Sequence, residues 1–162
     1  HGFIRLTMVQ AAPVAMVPAP APIVIVAAPV AARPMPEKYS LSTDALFAFG
    51  KSTLKPSGES KLDELVGKLR DVNIQSITDT GHADRIGSDE TNQRISEERA
   101  ATVKAYLVSK GIDSSVISAN GKGESQPMTN AADCRGAATA KVIACLAPDR
   151  RVDIEVFGSR KM

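Results

Sequence analysis

The sequence predicts a two-layer sandwich, α/β or α+β, with helices packed on one face of a sheet and a Pro/Ala-rich linker ahead of it. Three observations carry that expectation. Near the C-terminus Val152, Ile154 and Val156 alternate with Arg151, Asp153 and Glu155, the period of a strand with one wet face. Two other stretches carry the helical period. Leu62, Leu65, Val66 and Leu69 fall at i, i+3, i+4 and i+7, and Ile95, Ala100, Val103, Tyr106 and Leu107 form a second stripe. Helical and strand patterns alternate along the chain, which calls for helices layered on a sheet. Residues 8–32, by contrast, are almost wholly Ala, Val, Pro, Ile and Met.

Taken in order, residues 1–36 read as a linker and 37–160 as one folded domain. The apolar run is long enough to suggest a membrane span. Prolines at 13, 18, 20, 22 and 29 argue against one, since each removes a helix hydrogen bond and clashes with the preceding turn. Alternating Ala-Pro reads as extended, polyproline-like chain. Ile23-Val24-Ile25-Val26 interrupts it, either as a short strand docked elsewhere or, the favoured reading, as an apolar patch in the linker. His1 is not a start methionine, so a fragment or a processed chain is expected.

Tyr39 and Leu41 alternate with polar neighbours as in a half-buried strand, and Leu46, Phe47 and Phe49 are expected in the core. Pro56-Ser57-Gly58-Glu59 opens a helix that ends near Arg70 or Asp71. Val72–Thr80 is the next strand, although Asp79 is a poor strand residue. A long helix follows from about Asp89 to Lys110, stopped by Gly111. Val116–Ala119 is a short strand, Gly121-Lys122-Gly123 a turn, and Gly136–Leu146 an Ala-rich helix. Arg151–Phe157 closes the sheet.

Charge narrows the function. The chain has 162 residues, with 20 Lys and Arg against 18 Asp and Glu, and both surplus cations, Arg5 and Arg33, precede the domain. A balanced domain with few aromatics lacks the basic face that nucleic acid requires. Cys134 and Cys145 are the only cysteines. Their spacing fits a disulfide in an oxidising compartment, with two unpaired thiols as the alternative. A zinc site is poorly supported, because four N/S ligands are not available nearby. His82 beside Asp84 could suggest a metal or an acid–base pair, but no nucleophile signature accompanies them. Gly121-Lys122-Gly123-Glu124 lacks the spacing of a phosphate loop. The expectation is a protein without catalytic activity and without a cofactor.

The stretch with most chemistry is Gly81-His82-Ala83-Asp84-Arg85-Ile86-Gly87, running into the helix that carries Asn92 and Arg99. The glycines permit tight turns and close approach of a ligand. An acid on the loop, an Arg on the helix and amides at the helix start suit a small zwitterion, ammonium to Asp84 and carboxylate to Arg99. Asp84 could equally be a turn residue, Asn92 a capping residue and Arg99 a surface residue.

The same residues carry a resemblance. Gly-x-x-Asp-x-x-Gly, then Asn92, then Ser96-Glu97-Glu98-Arg99-Ala100-Ala101-Thr102-Val103-Lys104-Ala105-Tyr106-Leu107 and Gly111, resembles the peptidoglycan-binding domain of the outer membrane protein A (OmpA-like) family. Residues 47–56, 121–124 and 150–156 match further blocks, and the likeness spans about residues 38–158. It implies an α+β fold, a two-layer sandwich of helices on a mixed β-sheet. It implies peptidoglycan as ligand, through diaminopimelate of the stem peptide, with Asp84 taking the ammonium and Arg99 the carboxylate. Asn92 matches a third binding position and Arg150 one at the pocket edge, while Arg151 is expected to salt-bridge on the sheet face. Ala83 stands where a Thr is frequent, leaving its backbone N–H as the contact, and Ala48 and Gly50 replace frequent polar residues. The resemblance also strengthens the Cys134–Cys145 disulfide. It implies a periplasmic site that anchors the outer membrane to the wall through an N-terminal anchor, a β-barrel, outside this sequence. Rivals are the same fold on a lipoprotein or motor-stator anchor, a wall hydrolase, or a purely structural interaction domain.

Overall fold

Alternating burial along β1 (Glu37–Ser42) turns Tyr39 and Leu41 inward and Lys38 and Ser40 outward. In the computed structural model residues 35–161 are described, so the linker expectation for residues 1–34 lies outside them. β1 leads into a single turn of helix, α1 (Thr43–Leu46), and then α2 (Pro56–Lys68), whose Pro sits in the first turn where its missing N–H costs nothing. β2 (Val72–His82), α3 (Asp89–Ser109), β3 (Ile117–Gly121), α4 (Ala140–Cys145) and β4 (Arg151–Arg160) complete the order.

The sheet runs β1-β4-β2-β3. β4 is antiparallel to both β1 and β2, while β2 and β3 are parallel, joined through α3. The sheet is therefore mixed, and the helix-on-sheet sandwich expected from the sequence is present. Leu46, Phe47, Leu62, Leu65 and Leu69 from the helical layer meet Ile77, Val152, Ile154 and Val156 from the sheet, with Val103 and Leu107 of α3 completing the core. Each such side chain contributes about 1.5–3 kcal/mol by leaving water.

Two close approaches set α3 on the sheet. Gly81 and Gly121 are paired in register on β2 and β3, and a Cβ on either would strike Ser96 of α3. Ser96 uses the closeness: its hydroxyl donates to the Gln93 carbonyl (2.8 Å) and accepts from the Gly123 N–H (3.0 Å). α3 starts at Ser88, whose hydroxyl accepts from the Thr91 N–H at 3.1 Å, and stops where Gly111 turns to φ +102°.

Three expectations are corrected, and one strand is extended. Phe49 is 98% exposed, because the Ala48–Lys51 turn carries it away from the core that holds Phe47. The strand expected over Val72–Thr80 is borne out and runs on to His82, and Asp79 within it has no exposed surface under α3. The helix expected over Gly136–Leu146 is only Ala140–Cys145, capped by Thr139 and followed by a short 3-10 turn. The Cys134–Cys145 disulfide, with Cα atoms 5.7 Å apart, forces the chain to double back within that span. Arg151 makes the salt bridge expected of it, its Nε 3.1 Å from Asp153, but it is buried rather than on a wet face, with a terminal nitrogen 3.0 Å from the Gln126 carbonyl.

Candidate ligand-binding site

The polar end of α3 builds the site. From Ala100 to Leu107 its inward face is apolar, but one and two turns earlier the inward positions are Arg99, Ser96 and Asn92, all buried. The Gly81 and Gly121 approaches press this polar half against the ends of β2 and β3, so it faces the Asp84–Ser88 loop. Asp84 shapes that loop itself: one carboxylate oxygen accepts the Ile86 N–H at 2.9 Å. Asn92 braces it from the helix, its side-chain NH2 lying 3.1 Å from the Asp84 and Ile86 carbonyls and from the Glu124 carboxylate. Asn92 is thus no helix cap, a role that Ser88 takes.

Arg150 supplies the other wall. Its guanidinium donates to the second Asp84 oxygen (2.7 Å), to both Asp44 oxygens and to the Ile143 carbonyl (2.9 Å). Arg99 is 92% removed from solvent, donates to the Lys51 carbonyl (2.9 Å) and lies over the Phe47 ring, 5.4 Å from its centroid. Burial pushes the Arg99 pKa below its ordinary value and Arg150 adds to this, while Asp44 and Asp84 oppose it. Those couplings place Asp44, Asp84, Arg99 and Arg150 in one electrostatic cluster of two acids and two guanidiniums.

Of the residues expected to bind, Asp84, Arg99, Asn92 and Arg150 gather here. Ala83 adjoins them, but its N–H donates to the Gly123 carbonyl at 2.8 Å, so the contact expected of it is already spent. Asp44 is the residue that sequence reasoning missed. It sits on a four-residue helix with no pattern to mark it, and only the fold brings it to Arg150. His82 does not partner Asp84: its Nε2 lies 3.3 Å from Asp153, and burial pushes its pKa down. Among the described residues no His, Cys, Asp or Glu cluster could hold a metal ion.

Comparison with known proteins follows the same residues. The OmpA family model matches residues 46–141. The chain belongs to the OmpA family. An OmpA relative, outer membrane protein A of Citrobacter freundii, is 46% identical over 151 residues, covering 92% of this chain. The chain spans 59% of that relative's length. Among solved structures, the cell wall anchor of the T6SS from Pseudomonas aeruginosa superposes with a TM-score of 0.60 at 25% identity, over 75% of this chain and 81% of that one. The periplasmic domain of Helicobacter pylori MotB shares the OmpA-like fold with a TM-score of 0.61 at 14% identity, covering 76% of this chain and 74% of its own.

Proposed function

We propose that this OmpA-family domain holds peptidoglycan non-covalently, gripping diaminopimelate of the stem peptide and so anchoring the outer membrane to the wall from its periplasmic side. The observation that supports this is the cluster of Asp84, Arg99, Arg150 and Asp44: two acids and two guanidiniums around a braced loop offer both signs of charge that a zwitterion needs. In this reading the ligand's ammonium bonds Asp84 and its carboxylate Arg99. Arg150, already shared between Asp84 and Asp44, keeps an acid partner when the ammonium arrives. Charge-assisted bonds of this kind are shorter and about twice as strong as neutral ones. The Ala-Pro run supplies reach toward an outer-membrane anchor, and many weak grips along the wall add by multivalency. The role is tethering, not catalysis.

The test is a pull-down with purified diaminopimelate-type sacculi. Asp84→Asn keeps the acceptor for the Ile86 N–H but removes the charge, and Arg99→Lys keeps the charge but loses the planar fork. Removing one partner of a buried charge pair costs about 2–5 kcal/mol, enough to lose a weak site. Both variants are expected to stay folded by circular dichroism and to stop co-sedimenting. Retained binding by Asp84→Asn, or muropeptides released by the parent protein, overturns this reading. The fold also occurs in MotB, so the kind of anchor, whether barrel, lipid or stator, is a question separate from the grip on the wall.

A further inference from the structure

Beside the Asp84 loop lies a cavity of about 460 Å³ that the zwitterion site does not use. Its lining includes Arg85, Glu124, Thr129, Arg135, Leu146 and Asp149. Arg85 follows Asp84 directly in the chain, so the loop that presents one side chain to the zwitterion site presents the next to this cavity. Arg85 is fixed there: one terminal nitrogen donates to the Cys134 carbonyl at 2.9 Å and the Gly136 carbonyl at 2.7 Å. The disulfide thus holds the outer wall in place.

The charges around the cavity are unequal in what they have left to offer. Asp149 is spent: its carboxylate accepts from the Met128 N–H (2.8 Å), the Thr129 N–H (2.8 Å) and the Thr129 hydroxyl (2.7 Å). Glu124 is engaged by the Asn92 side-chain amide at 3.1 Å, and burial foremost raises its pKa. Arg85 and Arg135 make no ion pair among the described residues. The cavity therefore has an apolar floor at Leu146 and two cations without acid partners. That is a receptor for a carboxylate on a peptide-like body.

We propose that this cavity is a second subsite, taking a carboxylate of the stem peptide next to the diaminopimelate held at Asp84. The inference rests on the proposed function and adds to it a preference for the length and charge of the ligand. A diaminopimelate residue within a peptide has neighbours on both sides, and the cavity lined by Arg85 adjoins the Asp84 loop on one of them. Arg135 is exposed, touches none of Asp84, Arg99 or Arg150, and is the cleaner residue to change.

The test compares free diaminopimelate with a soluble muropeptide, by amide chemical-shift mapping on the whole chain. Free diaminopimelate is expected to move amides near Asp84 and Arg99 only, and the muropeptide to move those of 129–136 as well. Arg135→Glu is expected to weaken the muropeptide about threefold to tenfold, the scale of a partly screened ion pair lost and reversed, and to leave free diaminopimelate unchanged. Amidating the neighbouring carboxylate of the muropeptide should remove the parent protein's advantage over the variant. Muropeptide shifts at Asp84 and Arg99 with none at 129–136, or equal affinity for parent and Arg135→Glu, overturn the subsite and leave the proposed function standing. No shift at either place with any ligand refutes both. Shifts at 129–136 produced equally by free glutamate mark a general anion site and overturn the subsite.

Discussion

Asp79 provides the sharpest stability test of the fold. Its side chain has no exposed surface, neither carboxylate oxygen has a hydrogen-bond partner, and it lies on β2 between Ile154 of β4 and Ala119 of β3. Burial pushes its pKa from 3.8 up to about 8, against a weaker downward pull from Lys104 on α3. Because the folded value is raised above the unfolded one, the unfolded chain gives up this proton first. Asp79 is therefore neutral in its effect below pH about 4, and its cost grows as pH rises until about pH 8. At about 1.4 kcal/mol per pH unit, the cost at pH 7 is about 4 kcal/mol on an order-of-magnitude scale. Asp79→Val suits a strand and removes both orphaned oxygens. Urea unfolding of parent and variant at about pH 5 and about pH 7.5 is the assay. The variant should be the more stable at both, and its advantage should widen by about 3 kcal/mol between them. Other titrating groups cancel in the difference. An advantage that stays constant with pH refutes the argument that Asp79 is held as a neutral buried acid.

Two further predictions concern how the site is held. Gly81→Ala should separate α3 from the sheet, since the new Cβ meets the Ser96 backbone; overpacking of this kind costs about 1–3 kcal/mol and should show as a lowered urea midpoint with the slope unchanged. Reducing the Cys134–Cys145 disulfide should cost about 3 kcal/mol in the chain-entropy model. Hydrogen exchange should then quicken over residues 124–149 first, and at Asp84–Ile86 next, because Arg85 and Arg150 tie that loop to the Cys134, Gly136 and Ile143 carbonyls. Exchange that quickens uniformly across the domain would contradict this order.

The sequence by itself determined the layers and the order of the main elements. Periodicity suffices for that, because a side chain's face follows from backbone geometry alone: Val152, Ile154 and Val156 could only share one face of a strand, and Val103 and Leu107 one face of a helix. The stop at Gly111 and the Pro at the start of α2 are equally local. The motif around Asp84 and Arg99 was marked by its resemblance to a family, since spacing alone left Asp84 open as a turn residue and Arg99 as a surface residue. Tertiary structure decided what depends on contacts between distant segments. Asp44 and Arg150 are 106 residues apart, and no pattern within α1 announces their bond. The Ala83 N–H looked free until the turn after β3 delivered the Gly123 carbonyl to it. Phe49 was judged by hydrophobicity and Asp79 by strand propensity, yet a turn carried the phenyl group into water and the β2 register carried the acid under α3. Local geometry fixes which way a side chain points along its element; only packing fixes what lies there to meet it.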